Sequence, residues 1–495
     1  MAFNERASRG PQRGSSAGWP YSLRYKNQNV TRLVGLTANK PLNKVLGIWE
    51  RFTTGSTNRQ VFRAATTIVV LTSVAKLAAV AKELLVARRF GTGATIEAFL
   101  VAVLIPMMAI NIISNSLSIA LIPTYITVRE RDGREAAQRL LSGITVWGLL
   151  LLGAVTLLII ASSRLYLPWI ASGFNPGKLN LTFKLLLIVS PLIVLSGIAN
   201  IWGAVLNAGE RFALVALAPI ITPSVTVFVL LFVVRYSIVA LPIGMVLGAA
   251  LEMILLGVAL RLRGISLRPR WHGLNSDLRL VAQQFGPRVG ASIFRSGSVV
   301  VDRSLAATLP AGNVAALNYG NRIVITLLSV IGAALGSAIT PYFSKMIASR
   351  DWRGVQHTLK RYLLLLFVAS IPLVALMSYL SIPIIQVVFQ RGSFRAKDTQ
   401  LVSQIQALYA LQIPFYLGNV LVSRLLSSFL ASQITMWAAA INVALNIALD
   451  VVFIKIMGVP GIALATSCAS LFTFCFLLYH TVKIRKQRAL AAPGG

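Results

Sequence analysis

Acidic residues are scarce in this chain: 14 Asp and Glu stand against 47 Lys and Arg, for a formal net charge of +33. Cysteine is nearly absent. The two that occur, Cys468 and Cys475, share one apolar stretch, so they are expected to pack, and a disulfide framework or thiolate metal site lacks its ligands. Three histidines, His272, His357 and His480, are scattered at loop or helix-end positions and form no cluster for metal or acid–base work. Charged residues of both signs make up 12% of the 495, whereas soluble domains carry roughly 25%. No hydrolase, phosphate-loop or dinucleotide motif stands out. These shortages argue against a soluble enzyme, and the chain is expected to be no enzyme at all.

What is abundant is apolar sequence, at 56% of residues. Runs such as Leu141 to Ile160, Leu214 to Val234 and Leu363 to Leu380 match the roughly 20 residues that cross a hydrocarbon core of about 30 Å. Only helices and closed barrels satisfy their backbone in lipid, and the alternation of a barrel strand is missing, so the chain reads as an all-α polytopic membrane protein. Twelve transmembrane helices are expected, centred near residues 75, 108, 151, 194, 224, 248, 294, 328, 370, 416, 444 and 470.

The surplus of cations would point to nucleic acid in a soluble protein, but here it falls in the tails and in alternate loops. Arg129, Arg131, Arg134 and Arg139 lie in one such loop, Arg261, Arg263, Arg268 and Arg270 in the next, and Lys345, Arg350, Arg353, Lys360 and Arg361 in a third. By the positive-inside rule these loops and both termini are cytoplasmic, and the helix number is even. Anionic membrane lipids, not nucleic acid, are the expected surface partners. Arg88, Arg89, Arg391, Arg395 and Lys397 fall on the outer side in this scheme and call for another explanation, an anionic ligand being one. The expected organisation is a basic, mostly disordered cytoplasmic tail over 1–62, an N-terminal lobe over 63–270, a C-terminal lobe over 271–483 and a second tail over 484–495.

The two lobes repeat. Ile122-Pro123-Thr124-Tyr125 aligns with Thr340-Pro341-Tyr342-Phe343 at the offset that aligns Glu97-Ala98-Phe99 with Ala315-Ala316-Leu317, and Pro191 roughly matches Pro414. Proline is common in membrane helices, so coincidence is the plain alternative. Two six-helix repeats in the same orientation place a site at their interface near the midplane, which is transporter architecture.

Ionisable groups within membrane helices are costly and mark function. Lys76, Lys82, Arg88, Arg288, Arg295, Arg303, Arg322 and Arg424 outnumber the acids, and a cavity lined by such cations suits a diphosphate, to which Arg offers a fork and Lys a point charge. Snorkelling to headgroups is the alternative for Lys82 and Arg88. A second group is acidic and polar: Asp302, then Asn442, Asn446 and Asp450 at i+4 steps, with Thr466 and the carbonyl near Ile462. It reads as an oxygen cage for sodium or a proton, or as Asp302 pairing with Arg303 or Arg295 and Asp450 capping a helix. No other cofactor is expected.

The stretch Ala81 to Gly91 (AKELLVARRFG), with Glu97-Ala98-Phe99 and Ile105-Pro106 after it, resembles the MurJ/MviN family of lipid II flippases. So do Asn207 to Phe212, Gly312 to Arg322 and Phe389 to Phe394, and the resemblance runs in consistent order over about residues 65 to 483. It implies the multidrug/oligosaccharidyl-lipid/polysaccharide exporter (MATE-like) fold, two lobes around a central cavity. It also implies a bacterial inner-membrane flippase, probably the wrong word for an enzyme, that moves a polyprenyl-diphosphate-linked saccharide outward by alternating access as a monomer. Lys76, Lys82, Glu97 and Arg322 resemble the family's binding residues, and Asp302, Asn446, Asp450, Ile462 and Thr466 its sodium site. Three departures leave the saccharide open between lipid II and an exopolysaccharide or O-antigen unit. Met107-Met108 and Ser114-Asn115-Ser116 stand where the family has an arginine pair and an acidic residue beside glycine, Ile325 replaces a glutamate, and twelve helices are expected where members commonly carry two more. A multidrug antiporter of the same superfamily is the rival reading, and it would prefer acids and aromatics in the cavity.

Overall fold

The computed structural model describes residues 57–490, apart from 210, 234–236, 271–272, 274–275, 350 and 430. Most of the expected basic tail, and the last five residues, therefore lie outside the described residues. The chain is helical: α1 Thr57–Phe90, α2 Ala94–Arg131, α3 Gly133–Ile170, α4 Pro176–Ala208, α5 Phe212–Val233 and α6 Ala240–Arg261 form the first half. The second half comprises α7 Ser276–Ala307, α8 Asn313–Ala348, α9 Trp352–Tyr379, α10 Ala396–Ser428, α11 Ser432–Met457 and α12 Val459–Leu490, with a short helix Ser381–Phe389 before α10.

Local chemistry sets the boundaries. Asn175 caps α4 by accepting from Lys178 N at 2.8 Å, with Pro176 at the first helical position, where its missing N–H costs nothing. Asp351 caps α9 through Gly354 N at 2.7 Å. Gly458, at φ +69°, turns the chain between α11 and α12.

Among the described residues, 10 helices are long and apolar enough to cross a membrane. The expected twelve are thus matched by ten, and the two that fall short, α1 and α7, occupy equivalent places in the two halves. They are not short, since 34 and 32 residues extend about 50 Å at 1.5 Å per residue. They carry too much charge: Lys76, Lys82, Glu83, Arg88 and Arg89 on α1, and Arg279, Asp302 and Arg303 among others on α7.

The halves pack alike. In the first, α2 packs on α4, α4 on α6 and α5 on α6; in the second, α8 packs on α10, α10 on α12 and α11 on α12. Both α4 and α10 are interrupted near the middle, before Pro191 and Pro414, where proline removes a ladder bond. Close approach uses small residues. A Cβ at Gly244 of α6 would lie 2.6 Å from Thr226 Cα of α5, and one at Gly248 2.6 Å from Thr222 Cα, so this small-xxx-small face lets two backbones touch. The outward faces are greasy: Leu150, Leu157, Leu165 and Trp169 on α3, and Leu364, Val368 and Leu376 on α9, are all exposed. Apolar surface of that extent belongs against lipid. Cys468 is half-buried and Cys475 exposed on α12.

Candidate functional site

A cavity of about 1090 Å³ lies between the halves. One part of its wall is cationic, formed by Lys82 of α1, Arg303 of α7 and Arg322 of α8 around the single carboxylate of Glu83. Lys82 Nζ is 3.1 Å and Arg322 Nη2 3.3 Å from Glu83 Oε1, with the Lys82, Glu83 and Arg322 side chains 17%, 12% and 31% exposed. Arg303 Nη1 donates to Leu100 O at 3.1 Å across the halves. Arg322 Nε is buried with no hydrogen-bond partner, an unused donor beside the cavity. Three cations against one acid leave this pole net positive. The cavity continues into a second one of about 730 Å³ that shares Ile122, Asn207 and Val215 with it and reaches Arg129 and Glu130 at the end of α2.

At the opposite end the halves are sealed together. Glu97 of α2, 2% exposed in its side chain, pairs with Lys178 of α4 at 2.5 Å and accepts from the Gly312 and Val314 backbone at the start of α8, at 2.8 and 2.9 Å. The carboxylate thus sits where a helix N-terminus has free N–H groups and a positive dipole. Around it, Thr92 Oγ1 donates to Asp398 Oδ1 at 2.5 Å, Tyr319 Oη to Gly91 O at 3.2 Å, and Ser393 N and Oγ to Arg88 O and Arg89 O, both at 2.8 Å. Gly392 completes the seam at φ +65°, with its Cα against Arg88 O, where a Cβ would collide. Gly392→Ala is expected to cost at least about 1–2 kcal/mol from the left-handed backbone alone, read as a lowered Tm in detergent. An unchanged Tm would show that this loop yields freely. At the other end of the molecule the link between the halves is weaker: Arg131 Nη2, in a side chain 60% exposed, lies 3.3 Å from Asp277 of α7. The same guanidinium, by hydrogen bonding, holds the exposed Asp132 carboxyl below the usual carboxylate range. Such exposed pairs contribute little to stability.

The cage residues also meet, inside the second half. Asp302 of α7 and Asp450 of α11 face each other within hydrogen-bond range, beside Asn446. Asp302 Oδ1, both Asp450 carboxylate oxygens and Asn446 Nδ2 are buried without hydrogen-bond partners. Thr466 Oγ1 donates to Ile462 O at 3.1 Å, which leaves its lone pairs free, and the buried Tyr409 hydroxyl contacts it. Buried oxygens without donors suit a small hard cation or a shared proton. With two acids the set falls below a multi-acid metal centre, and among the described residues no group of three or more His, Cys, Asp or Glu is placed to hold a metal.

The remaining expected residues lie apart from the cavity. Lys76 is exposed on α1, six residues and about 120° of helical turn from Lys82. Arg424 is exposed on α10, and Arg88 is exposed at the seam, next to the loop that carries Arg391 and Arg395. Glu97 lines the seam and not the cavity. The side chains of Arg288 and Arg295 lie outside the described residues. Sequence reasoning passed over Glu83 as the bridge between cations, over Glu252, and over the cavity's asparagines Asn111, Asn115, Asn200, Asn207 and Asn318. Glu252, an acid within a membrane helix, carried a legible signal; neutral amides carry almost none.

Comparison with known proteins places this arrangement. The chain is 26% identical to a probable lipid II flippase MurJ of Synechocystis sp. over 86% of this chain and 82% of that one. It is 26% identical to the probable lipid II flippase MurJ of Thermotoga maritima, over 82% of each chain. Its fold matches a solved lipid II flippase MurJ in an inward closed conformation, with a TM-score of 0.73 at 24% identity, covering 86% of this chain and 90% of that one. An inward-facing multidrug resistance MATE family transporter of the MOP superfamily matches with a TM-score of 0.74 at 12% identity, over 86% of this chain and 99% of that one. The family model for lipid II flippase MurJ matches residues 86–491, and the chain belongs to that family, whose members are transporters and not enzymes.

Proposed function

We propose that this protein is a flippase that carries a polyprenyl-diphosphate-linked saccharide from the cytoplasmic to the outer leaflet of a bacterial plasma membrane by alternating access. The observation that carries this reading is the net-positive pole of Lys82, Arg303 and Arg322 in the wall of a cavity within the membrane, with Arg322 Nε buried and unpaired. A diphosphate is the ligand for which such a pole offers both point charge and forked donors. The relatives are named for lipid II, which makes it the first cargo to test.

The direction follows from the seam and the charge pattern. The lobes are sealed at the α1–α2 loop and the cavity continues toward the α2–α3 loop, which carries Arg129, Arg131 and Arg134 and so faces the cytoplasm by the positive-inside rule. Both termini then lie on the cytoplasmic side, where the basic loops meet anionic lipid, and the transporter works as a monomer. Sodium or a proton at Asp302 and Asp450 biases the two states, since a ligand shifts an equilibrium by its differential affinity. No covalent step is needed. A cationic drug is poorly served by the cavity: Phe99 alone among its described lining residues is aromatic, and cations outnumber acids.

Native mass spectrometry of the purified protein with lipid II tests the reading. Wild type is expected to bind, and Arg322→Ala to bind about thirtyfold more weakly, the loss expected when one member of a desolvated charge pair is truncated. Equal binding by the two proteins would sink it.

A further inference from the structure

The cavity's charge is confined to one side, and the opposite wall is built of amides and hydroxyls. On α2, Asn111, Asn115 and Ser118 recur at i, i+4 and i+7 and so share one face. A π-helical turn over Ile110–Ser114 lies between the two asparagines, a widened turn of the kind found mainly at functional sites, and Asn115 Nδ2 reaches Asn111 Oδ1 at 3.4 Å. Asn200 and Asn207 of α4, seven residues apart, extend the wall toward the adjoining cavity. Glu252 of α6 adds one carboxylate, which accepts from Thr222 Oγ1 at 3.1 Å. Lys82, Arg303 and Arg322 are the cations of the described lining, and the amide wall contains none.

From this segregation we infer that the amide wall is a saccharide subsite for a neutral oligosaccharide, and that it selects against headgroups bearing carboxylates. The inference rests on the flippase reading above and refines its cargo. Amides present donor and acceptor together, which matches a sugar hydroxyl that also gives and takes, and a carboxylate such as Glu252 accepts from hydroxyls. An acidic peptide or acidic sugar would find no cation on this wall, would face Glu252, and would lose water without a partner. The size fits more than a monosaccharide, because about 1090 Å³ slightly exceeds the roughly 300–1,000 Å³ of pockets for drug-sized ligands.

Three probes separate this from the underlying reading in native mass spectrometry: undecaprenyl diphosphate alone, the same lipid carrying a neutral hexose trisaccharide, and lipid II with its acidic peptide. The neutral glycolipid is expected to bind about tenfold more tightly than the other two, the scale of discrimination that a few paired or unpaired polar groups supply. Asn115→Ala with Asn200→Ala should reduce the neutral glycolipid to the level of the bare diphosphate and leave the bare diphosphate unchanged. Asn115→Arg should raise lipid II binding, a gain that misfolding does not produce. Lipid II bound as tightly as the neutral glycolipid by wild type, or a neutral glycolipid indifferent to the Asn115 and Asn200 changes, overturns the subsite while the diphosphate pole stands. Failure of all three probes to bind overturns the pole, and the subsite with it.

Discussion

Glu97→Ala is expected to unseal the closed face and abolish transport. Four groups converge on this side chain: the Lys178 ammonium, the Gly312 and Val314 amides, and, through them, the start of α8. Removing the carboxylate leaves Lys178 buried at 11% exposure without its charge partner, a change that costs about 3–5 kcal/mol when a buried pair is broken. The two amides are orphaned as well, at about 1–3 kcal/mol for each buried group that finds no water. Glu97→Gln keeps an acceptor for the amides and loses the charge, so it should fall between wild type and Ala. Spin labels at the exposed positions Ala94 and Lys397, in a background with Cys468 and Cys475 replaced by Ser, read the distance across the seam. Wild type should give a short, narrow distribution and Glu97→Ala a longer, broader one. Unchanged distances with lost transport would move Glu97 out of the seal and into cargo binding. The bonds it makes must also be given up in every cycle, and a carboxylate at the outer end of the membrane is suited to that, because water can take over both the amides' role and that of Lys178 when the lobes part.

The helical architecture was readable because lipid imposes one demand on every span, a sustained apolar run, and loops break it with charge. Capping by Asn175 and Asp351 and the interruptions at Pro191 and Pro414 follow from residue chemistry that any sequence displays. The count was harder. Helices α1 and α7 carry the charges that face the cavity, so the two spans with the most functional content look least like spans.

Which way a polar side chain points was the least legible property. A surface helix in water shows an apolar stripe that fixes its inward face, but a membrane helix is apolar toward lipid and toward its neighbours alike, and the stripe disappears. Lys76 and Lys82 therefore looked equivalent, although one is exposed and the other lines the cavity. Arg424 failed for the same reason. Asp302, Asn446 and Asp450 were legible as a set because the i+4 step of Asn446 and Asp450 fixes a shared face without reference to the surroundings. Glu83 and the asparagine wall needed the third dimension, since their partners come from α2, α4, α6 and α8.

Asp450→Asn is expected to remove any sodium dependence while leaving the fold at least as stable. In wild type, Asp302 and Asp450 bury carboxylate oxygens that receive no donor, so the site without a cation holds two acids in opposition. Filling it at a hundredfold excess over Kd should stabilise the protein by about 2.7 kcal/mol, seen as a Tm that rises with sodium and not with potassium. Asparagine at 450 gives Asp302 an N–H donor and deletes one charge, which relieves the empty site and weakens the filled one. The variant should therefore show a sodium-free Tm equal to or above that of wild type and no rise on adding sodium. The same rise in both proteins would place the cation elsewhere. A wild-type Tm that follows pH and ignores sodium would assign the pair to a shared proton, for which two facing carboxyls are equally well built. In either case the bias on the two lobes enters through α7, because it carries Asp302 toward α11 and, one residue on, Arg303 at the cavity wall with its bond to Leu100. A change in charge at the cage thus acts on the helix that also holds the cationic pole and packs against α2 of the other lobe.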